Sequence, residues 1–194
     1  CLESELLMKV CVVGLGAIGG LFAAWIGRRA LADGPASDVQ LSALARGATL
    51  AAVQQRGLTL NMADTEQLLP LHASDSAAAL GVQDLVVLAV KAPALASVAP
   101  AVQVLCGPHT QVLVAMNGVP WWFFDGLPGP CEGMALHSVD PGGALRALIP
   151  SAQVVGCVVH ASSTTPAPGA VRHVNGNGLI IGRPAGGVDT RLAA

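Results

Sequence analysis

The stretch KVCVVGLGAIGG, Lys9–Gly20, decides the fold. Its first part, Lys9–Val13, is a short, continuously apolar run of the kind that forms a central strand of a parallel sheet. A GxGxxG motif (GLGAIG, 14–19) follows at once. The next residues predict an amphipathic helix, because Ile18, Leu21, Phe22 and Trp25 fall at i, i+3, i+4 and i+7. A strand, a glycine turn and such a helix in this order predict a Rossmann-type unit.

Each glycine of the motif has a physical role in a unit of this kind. Gly14 would make the tight turn, Gly16 would let the backbone approach a pyrophosphate, and Gly19 would allow the helix to pack closely on the strand. The phosphates would then meet free N–H groups at the positive end of the helix. A glycine-rich turn without a ligand is the alternative interpretation.

Strands and helices alternate along the rest of the first 117 residues, which predicts an α/β fold with a parallel sheet flanked by helices. The predicted strands are Val39–Leu44, Leu58–Leu60, Leu68–His72, Asp84–Val90 and Gln111–Met116, with helices at Gly47–Gln55 and from Pro93. Extra strands are expected at Gln153–His160, Ala170–Val174 and Leu179–Gly182, separated by turns at Pro166–Gly169 and Asn175–Gly178.

The end of the second strand predicts which dinucleotide is bound. A carboxylate at this place would bind the ribose 2′-hydroxyl of NAD, whereas an arginine suits the 2′-phosphate of NADP. Here the chain reads Ala45-Arg46-Gly47, without a carboxylate. Arg46 can bind a phosphate through two N–H groups, so the sequence favours NADP(H). An ordinary solvated surface arginine is the alternative.

Composition excludes several classes of function. The net charge is -2 with only 11% charged residues, so neither nucleic acid nor an anionic membrane surface is expected as a partner. The five cysteines and five histidines show no spacing typical of metal ligands, which predicts no metal site and a reducing cytoplasm. Val10–Gly27 carries no charge and could resemble a signal peptide or membrane span, but five glycines interrupt it, so we expect neither.

The sequence resembles the ketopantoate reductases (2-dehydropantoate 2-reductases) from Met8 to about Arg191. The resemblance combines KVCVVGLGAIGG with four later segments, in order: ARG (45–47), DLVVLAVKA (84–92), MNGV (116–119) and GAVRHVNGNGLIIG (169–182). It implies a cytoplasmic, NADPH-dependent reduction of ketopantoate to pantoate in pantothenate synthesis, with monomer and homodimer both open. The aromatic run Trp121–Phe124 is similar to a subgroup whose 2-oxo acid substrate is not assumed, and this run could be core, domain interface or dimer contact.

The resemblance also implies roles for individual residues. The pyrophosphate would be held by the glycine turn, at Gly14, Leu15, Gly16, Ala17, Ile18 and Gly19, and the 2′-phosphate by Arg46. Lys91 would lie over the cofactor cleft, Asn117 would contact the nicotinamide ribose and the substrate, and Ser162 would line the cofactor site. The alternatives are a surface lysine at Lys91 and a plain Asn-Gly turn at Asn117.

One departure from the family is expected. The resemblance places the catalytic lysine on a helical second domain, whereas the only lysines here, Lys9 and Lys91, belong to first-domain motifs. We therefore expect a single NADP-binding domain over residues 8–191, without that second domain and without a complete active site. Two other functions stay open: a non-catalytic NADP(H)-binding module, and an NADP-dependent reductase of another 2-oxo acid.

Overall fold

A computed structural model describes residues 7–63 and 65–187, so Cys1 and Arg191 lie outside the described residues. The strands are β1 (Met8–Val13), β2 (Val39–Leu44), β3 (Leu58–Met62), β4 (Thr65–Leu69), β5 (His72–Ser74), β6 (Gln83–Leu88), β7 (Cys106–Ala115), β8 (Val154–Ala167) and β9 (Ala170–Gly182). The α-helices are α1 (Ala17–Asp33), α2 (Gly47–Arg56), α3 (Ala77–Leu80), α4 (Leu95–Leu105) and α5 (Ala144–Leu148).

The strands of the described residues form one nine-stranded sheet in the order β4-β3-β9-β8-β7-β6-β1-β2-β5. From β8 to β5 every neighbouring pair is parallel. The other end is mixed, because β9 runs antiparallel to β8, and β4 antiparallel to β3, while β3 and β9 are parallel. The predicted α/β class with extra C-terminal strands is thus confirmed, with a sheet that is mostly rather than wholly parallel.

Two hydrophobic cores cover the two faces of the sheet. On one face α1 packs with α2, β3 and β9, and Leu21 is fully buried at its centre. On the other face α4 and α5 pack with Trp121 and Trp122, which are 1% and 7% exposed. The first half of the aromatic run is therefore core, whereas Phe123 is 47% exposed.

The uncharged stretch Val10–Gly27 is divided between β1 and the first part of α1. Along the described part of the chain, no helix combines the length and the apolar character needed to cross a membrane.

The strand predicted over Leu68–His72 is wrong as a single element. Leu68 and Leu69 end β4, whereas His72 begins β5, and these two strands lie at opposite edges of the sheet. Pro70 lies between them and has no N–H to donate to a strand ladder, so the chain leaves one edge there and starts again at the other.

The turn predicted at Asn175–Gly178 is also wrong, because β9 continues through it. His160 pairs with Gly178 and Ser162 with Asn175, so two residues of β9 lie opposite the one residue between His160 and Ser162 on β8. This is a β-bulge, and Gly176 accommodates it with a φ of 74°. The predicted turn at Pro166–Gly169 is likewise shorter than expected, since β8 runs to Ala167.

The buried cysteines lead to a test of the central sheet. Burial raises the pKa of the Cys11 thiol to about 11 and also raises the pKa of Cys157. Because the thiolate is the reactive form, we expect iodoacetamide at pH 8 to spare both residues in the folded protein. The half-buried Cys131 serves as the internal control and should be alkylated before either of them. Peptide mapping by mass spectrometry measures the order, and labelling of Cys11 as fast as Cys131 would contradict the closed central strand.

Candidate cofactor site

The glycine turn lies at the edge where the carboxyl ends of the central parallel strands meet. Gly14 follows β1 directly, with a φ of 90° that favours glycine. Its N–H donates to the carbonyl of Leu44 at 3.0 Å, at the end of β2. On the other side, Ala89 N–H donates to the carbonyl of Val13 at 3.1 Å. The turn is therefore fixed by the strands on both sides of β1, at the place where doubly wound sheets bind ligands.

A cavity of about 640 Å³ opens beside this turn. Its volume is within the range of small-molecule and cofactor sites. Six parts of the chain line it: the glycine turn, the β2–α2 junction, Asp75 after β5, Val90 after β6, the first half of α4, and the end of β8 with the β8–β9 turn. The polar side chains among these lining residues are Arg46, Thr49, Asp75, Ser97 and Thr165.

The start of α1 is arranged to receive an anion. Gly16 is the N-cap, has no side-chain cap, and is followed by a first turn without acidic residues. The first N–H groups of a helix have no partner within the helix, so they are available to a ligand. A Cβ at Gly16 would meet no atom within 4 Å, which means that the backbone lies open to the cavity.

The predicted pyrophosphate residues divide into two groups. Gly14, Leu15 and Gly16 line the cavity together with Arg46. Ala17, Ile18 and Gly19 are the first residues of α1 and do not line it. Ile18 packs against the core, and Gly19 is buried where a Cβ would meet the carbonyl oxygen of Gly14.

Lys91 and Asn117 follow the neighbouring parallel strands β6 and β7, so they lie at the same edge of the sheet as the glycine turn. Neither lines the cavity. The amide of Asn117 binds the main chain of β8: its Oδ1 accepts from Val159 N–H at 2.9 Å, and its Nδ2 donates to Val159 carbonyl at 3.1 Å. The Asn-Gly pair thus ties β7 to β8 whatever else it contacts.

Ser162 is exposed and does not line the cavity, but the next residue approaches the glycine turn. The Ser163 hydroxyl donates to the carbonyl of Ala17 at 2.7 Å. Two residues further along β8, Thr165 lines the cavity.

Sequence reasoning missed several lining residues. Thr49 could have been found, because it lies in the first turn of α2, three residues after Arg46. Asp75 follows β5, which is paired with β2, and was hidden by the wrong strand boundary. The β8–β9 turn carried no local signal, since it reaches the cavity only through long-range strand pairing.

The same family emerges from comparison with known proteins. Residues 10–120 match the model of the ketopantoate reductase PanE/ApbA family. A 2-dehydropantoate 2-reductase from Mesorhizobium japonicum is 44% identical over 183 residues, which are 92% of this chain and 53% of that protein.

Solved structures agree with this match. A protein from Ralstonia solanacearum MolK2, assigned as a ketopantoate reductase, is 52% identical with a TM-score of 0.86, over 96% of this chain and 56% of that one. A PanE/ApbA family ketopantoate reductase from Ralstonia eutropha JMP134 is 25% identical with a TM-score of 0.69, over 96% of this chain and 52% of that one. The chain thus spans about half the length of these relatives, and it belongs to the PanE/ApbA ketopantoate reductase family of dinucleotide-binding oxidoreductases.

Proposed function

We propose that residues 8–191 form the cofactor-binding part of an NADP(H)-dependent 2-dehydropantoate 2-reductase, which reduces ketopantoate to pantoate. The observation that carries this proposal is the shared cavity of the glycine turn and Arg46. The Arg46 guanidinium complements the 2′-phosphate of NADP(H), and the amino end of α1 complements its pyrophosphate.

The residues around the glycine turn fit a dinucleotide. Gly16 leaves open space beside the backbone, as a closely approaching pyrophosphate requires, whereas Gly19 has no room for a side chain. On the adenosine side, Arg46 is exposed at the end of β2, so its guanidinium is accessible to a phosphate. Asp75 is the one carboxylate among the described lining residues and follows β5, one strand beyond β2.

The bound nicotinamide would supply the hydride to the 2-oxo carbon of the substrate. Lys91 and Asn117 follow β6 and β7, on the side of the glycine turn away from Arg46, so we place the nicotinamide half of the cofactor beside them. There Asn117 would orient the ribose and the substrate while its amide stays bound to β8. Lys9 is near the amino end of β1, at the opposite edge of the sheet, and is excluded as a proton donor to this site.

We further propose a reducing, cytoplasmic setting. The described cysteines, at positions 11, 106, 131 and 157, are all free thiols. Unpaired thiols in this number are typical of proteins kept in a reducing compartment.

The preference for NADPH over NADH is the first test. Isothermal titration calorimetry should show tighter binding of NADPH than of NADH. The reason is that NADPH offers a 2′-phosphate to the Arg46 guanidinium, whereas NADH has only an uncharged hydroxyl at the same position. Replacing Arg46 with Ala should weaken NADPH binding by about 10- to 100-fold, as expected for a lost charge-assisted hydrogen bond, and leave NADH nearly unchanged. Asp75→Asn is the matched control and should keep the preference. A wild-type preference for NADH that Asp75→Asn removes would overturn the assignment of NADP(H).

Turnover of substrate tests the division of the active site. We expect the 194-residue chain to bind NADPH but to reduce ketopantoate at a negligible rate, because it offers only Lys91 as a lysine at the carboxyl edge of the sheet. The measurement is NADPH oxidation at 340 nm with ketopantoate and a panel of other 2-oxo acids. Turnover at a rate typical of an enzyme would place the whole active site within these residues. A faster rate with another 2-oxo acid would identify that acid, rather than ketopantoate, as the preferred substrate.

The two glycines of the turn give a paired test of binding against folding. Gly16→Ala should leave the melting temperature nearly unchanged, since its Cβ meets no atom within 4 Å, and should weaken binding of NADPH and NADH alike. Gly19→Ala should lower the melting temperature, because its Cβ would overlap the carbonyl oxygen of Gly14 and lie 3.1 Å from the Ala89 Cβ. Thermal unfolding and titration of both variants measure this. Unchanged nucleotide binding by Gly16→Ala would show that the turn does not hold the pyrophosphate.

A further inference from the structure

The β8–β9 turn (Thr165–Gly169, the last three residues of β8 and the two that follow it) lies far from the glycine motif in sequence but lines the same cavity. Residues Thr165–Gly169 share this cavity with Gly14, Gly16 and Arg46. About 120 residues of chain separate the turn from Arg46, so its position depends on strand pairing rather than on the Rossmann unit itself.

The turn is held against the elements that carry Arg46. The Arg56 guanidinium, at the end of α2, donates to the carbonyl of Pro168 at 3.0 Å. Thr59 N–H, in β3, donates to the carbonyl of Gly169 at 2.9 Å. Gly169 has a φ of 71° and so little space that a Cβ would lie 3.0 Å from the Cβ of Ala52. The turn is therefore packed on α2 and β3, close to the predicted 2′-phosphate site.

A second contact ties β8 to the glycine turn. The Ser163 hydroxyl donates to the carbonyl of Ala17, the first residue of α1. Thr165 follows two residues later in β8 and lines the cavity. The α1 contact thus holds the strand that leads into the turn, while α2 holds the turn itself, so the turn is fixed on two sides of the cavity.

The composition of the turn suits the adenosine half of a dinucleotide. Pro166, Ala167 and Pro168 present an apolar surface without N–H donors at the two prolines, which is compatible with the face of a purine ring or a ribose. Thr165 adds one hydroxyl that can donate or accept. The fixed φ of the prolines limits the freedom of the turn before a ligand arrives, so little conformational entropy is lost on binding.

We propose that the β8–β9 turn, Thr165–Gly169, is a wall of the cofactor site that contacts the adenosine half of the bound dinucleotide, and that Arg56 is a positioning residue for this wall. The inference rests on the proposed dinucleotide function and adds a part of the site that lies outside the glycine motif and Arg46.

Hydrogen exchange of the unmodified protein tests the contact directly. Adenosine 2′,5′-bisphosphate and NADPH should each slow amide exchange in the peptide that spans the turn, by about fivefold or more, since a covered amide exchanges only when the ligand leaves. Nicotinamide mononucleotide, which lacks the adenosine half, should not. Protection of the peptide with the glycine turn by NADPH, without protection of the β8–β9 turn, would overturn this inference alone. Failure of NADPH to protect either peptide would overturn the proposed function.

Arg56→Met tests the positioning role, because methionine keeps an apolar side chain and removes the donors to Pro168. We expect the dissociation constants of NADPH and NADH to rise together by about three- to tenfold, as for loss of one hydrogen bond, with their ratio unchanged. Arg46→Ala, by contrast, should change the ratio. Arg56→Lys retains a donor and should restore part of the affinity.

Arg29→Met is the matched control, since Arg29 pairs with Asp33 at the far end of α1. It should leave both dissociation constants unchanged. A lower melting temperature for Arg56→Met with unaltered affinity for both nucleotides would show that the contact with Pro168 serves stability alone, and would overturn the positioning role.

Discussion

The close approach of α1 to the glycine turn is the constraint on which the rest of the structure depends. A side chain at Gly19 would overlap the carbonyl oxygen of Gly14 and would also lie 3.1 Å from the Cβ of Ala89. Because it is absent, the helix begins directly at the end of β1. Its N-cap, Gly16, then lines the cavity, and the helix packs close to the end of β1 and to Ala89, which follows β6. The same contact thus determines the position of the binding groups and of the largest helix in the core.

Small residues continue this close packing along α1. A Cβ at Gly20 would lie 3.2 Å from Val171 in β9, and one at Gly27 would lie 3.5 Å from Leu41 in β2. The helix contacts strands from both sides of the sheet order, including β2, β3, β4, β8 and β9. A flat sheet could not reach it from all these positions, so the mixed end of the sheet must curl around α1. The curl also brings the β8–β9 turn to the cavity.

The local sequence predicts the parts of the fold that local forces determine. Val39–Leu44 was predicted with the bounds that the structure gives, and the apolar stripe of α1 begins at the predicted turn, because a buried strand and an amphipathic helix each carry their own pattern. The bulge at Gly176 could not be predicted this way, since Asn175–Gly178 has the composition of a turn and is kept extended by pairing with β8. The site divides similarly. Local sequence patterns predict the glycine motif and Arg46, whereas Thr165 reaches the cavity only through the long hairpin of β8 and β9.

The pairing of β3 with β9 has a consequence for the order of events during synthesis. Thr59–Met62 leave the ribosome more than a hundred residues before their partners, Ala170–His173. Until those partners emerge, β3 has only β4 beside it, and its other edge exposes unpaired backbone groups. Closing a loop of this length is slow compared with forming the local βα units. The nascent chain therefore carries an open sheet edge while more than a hundred residues are added, and premature association between chains would begin at this edge.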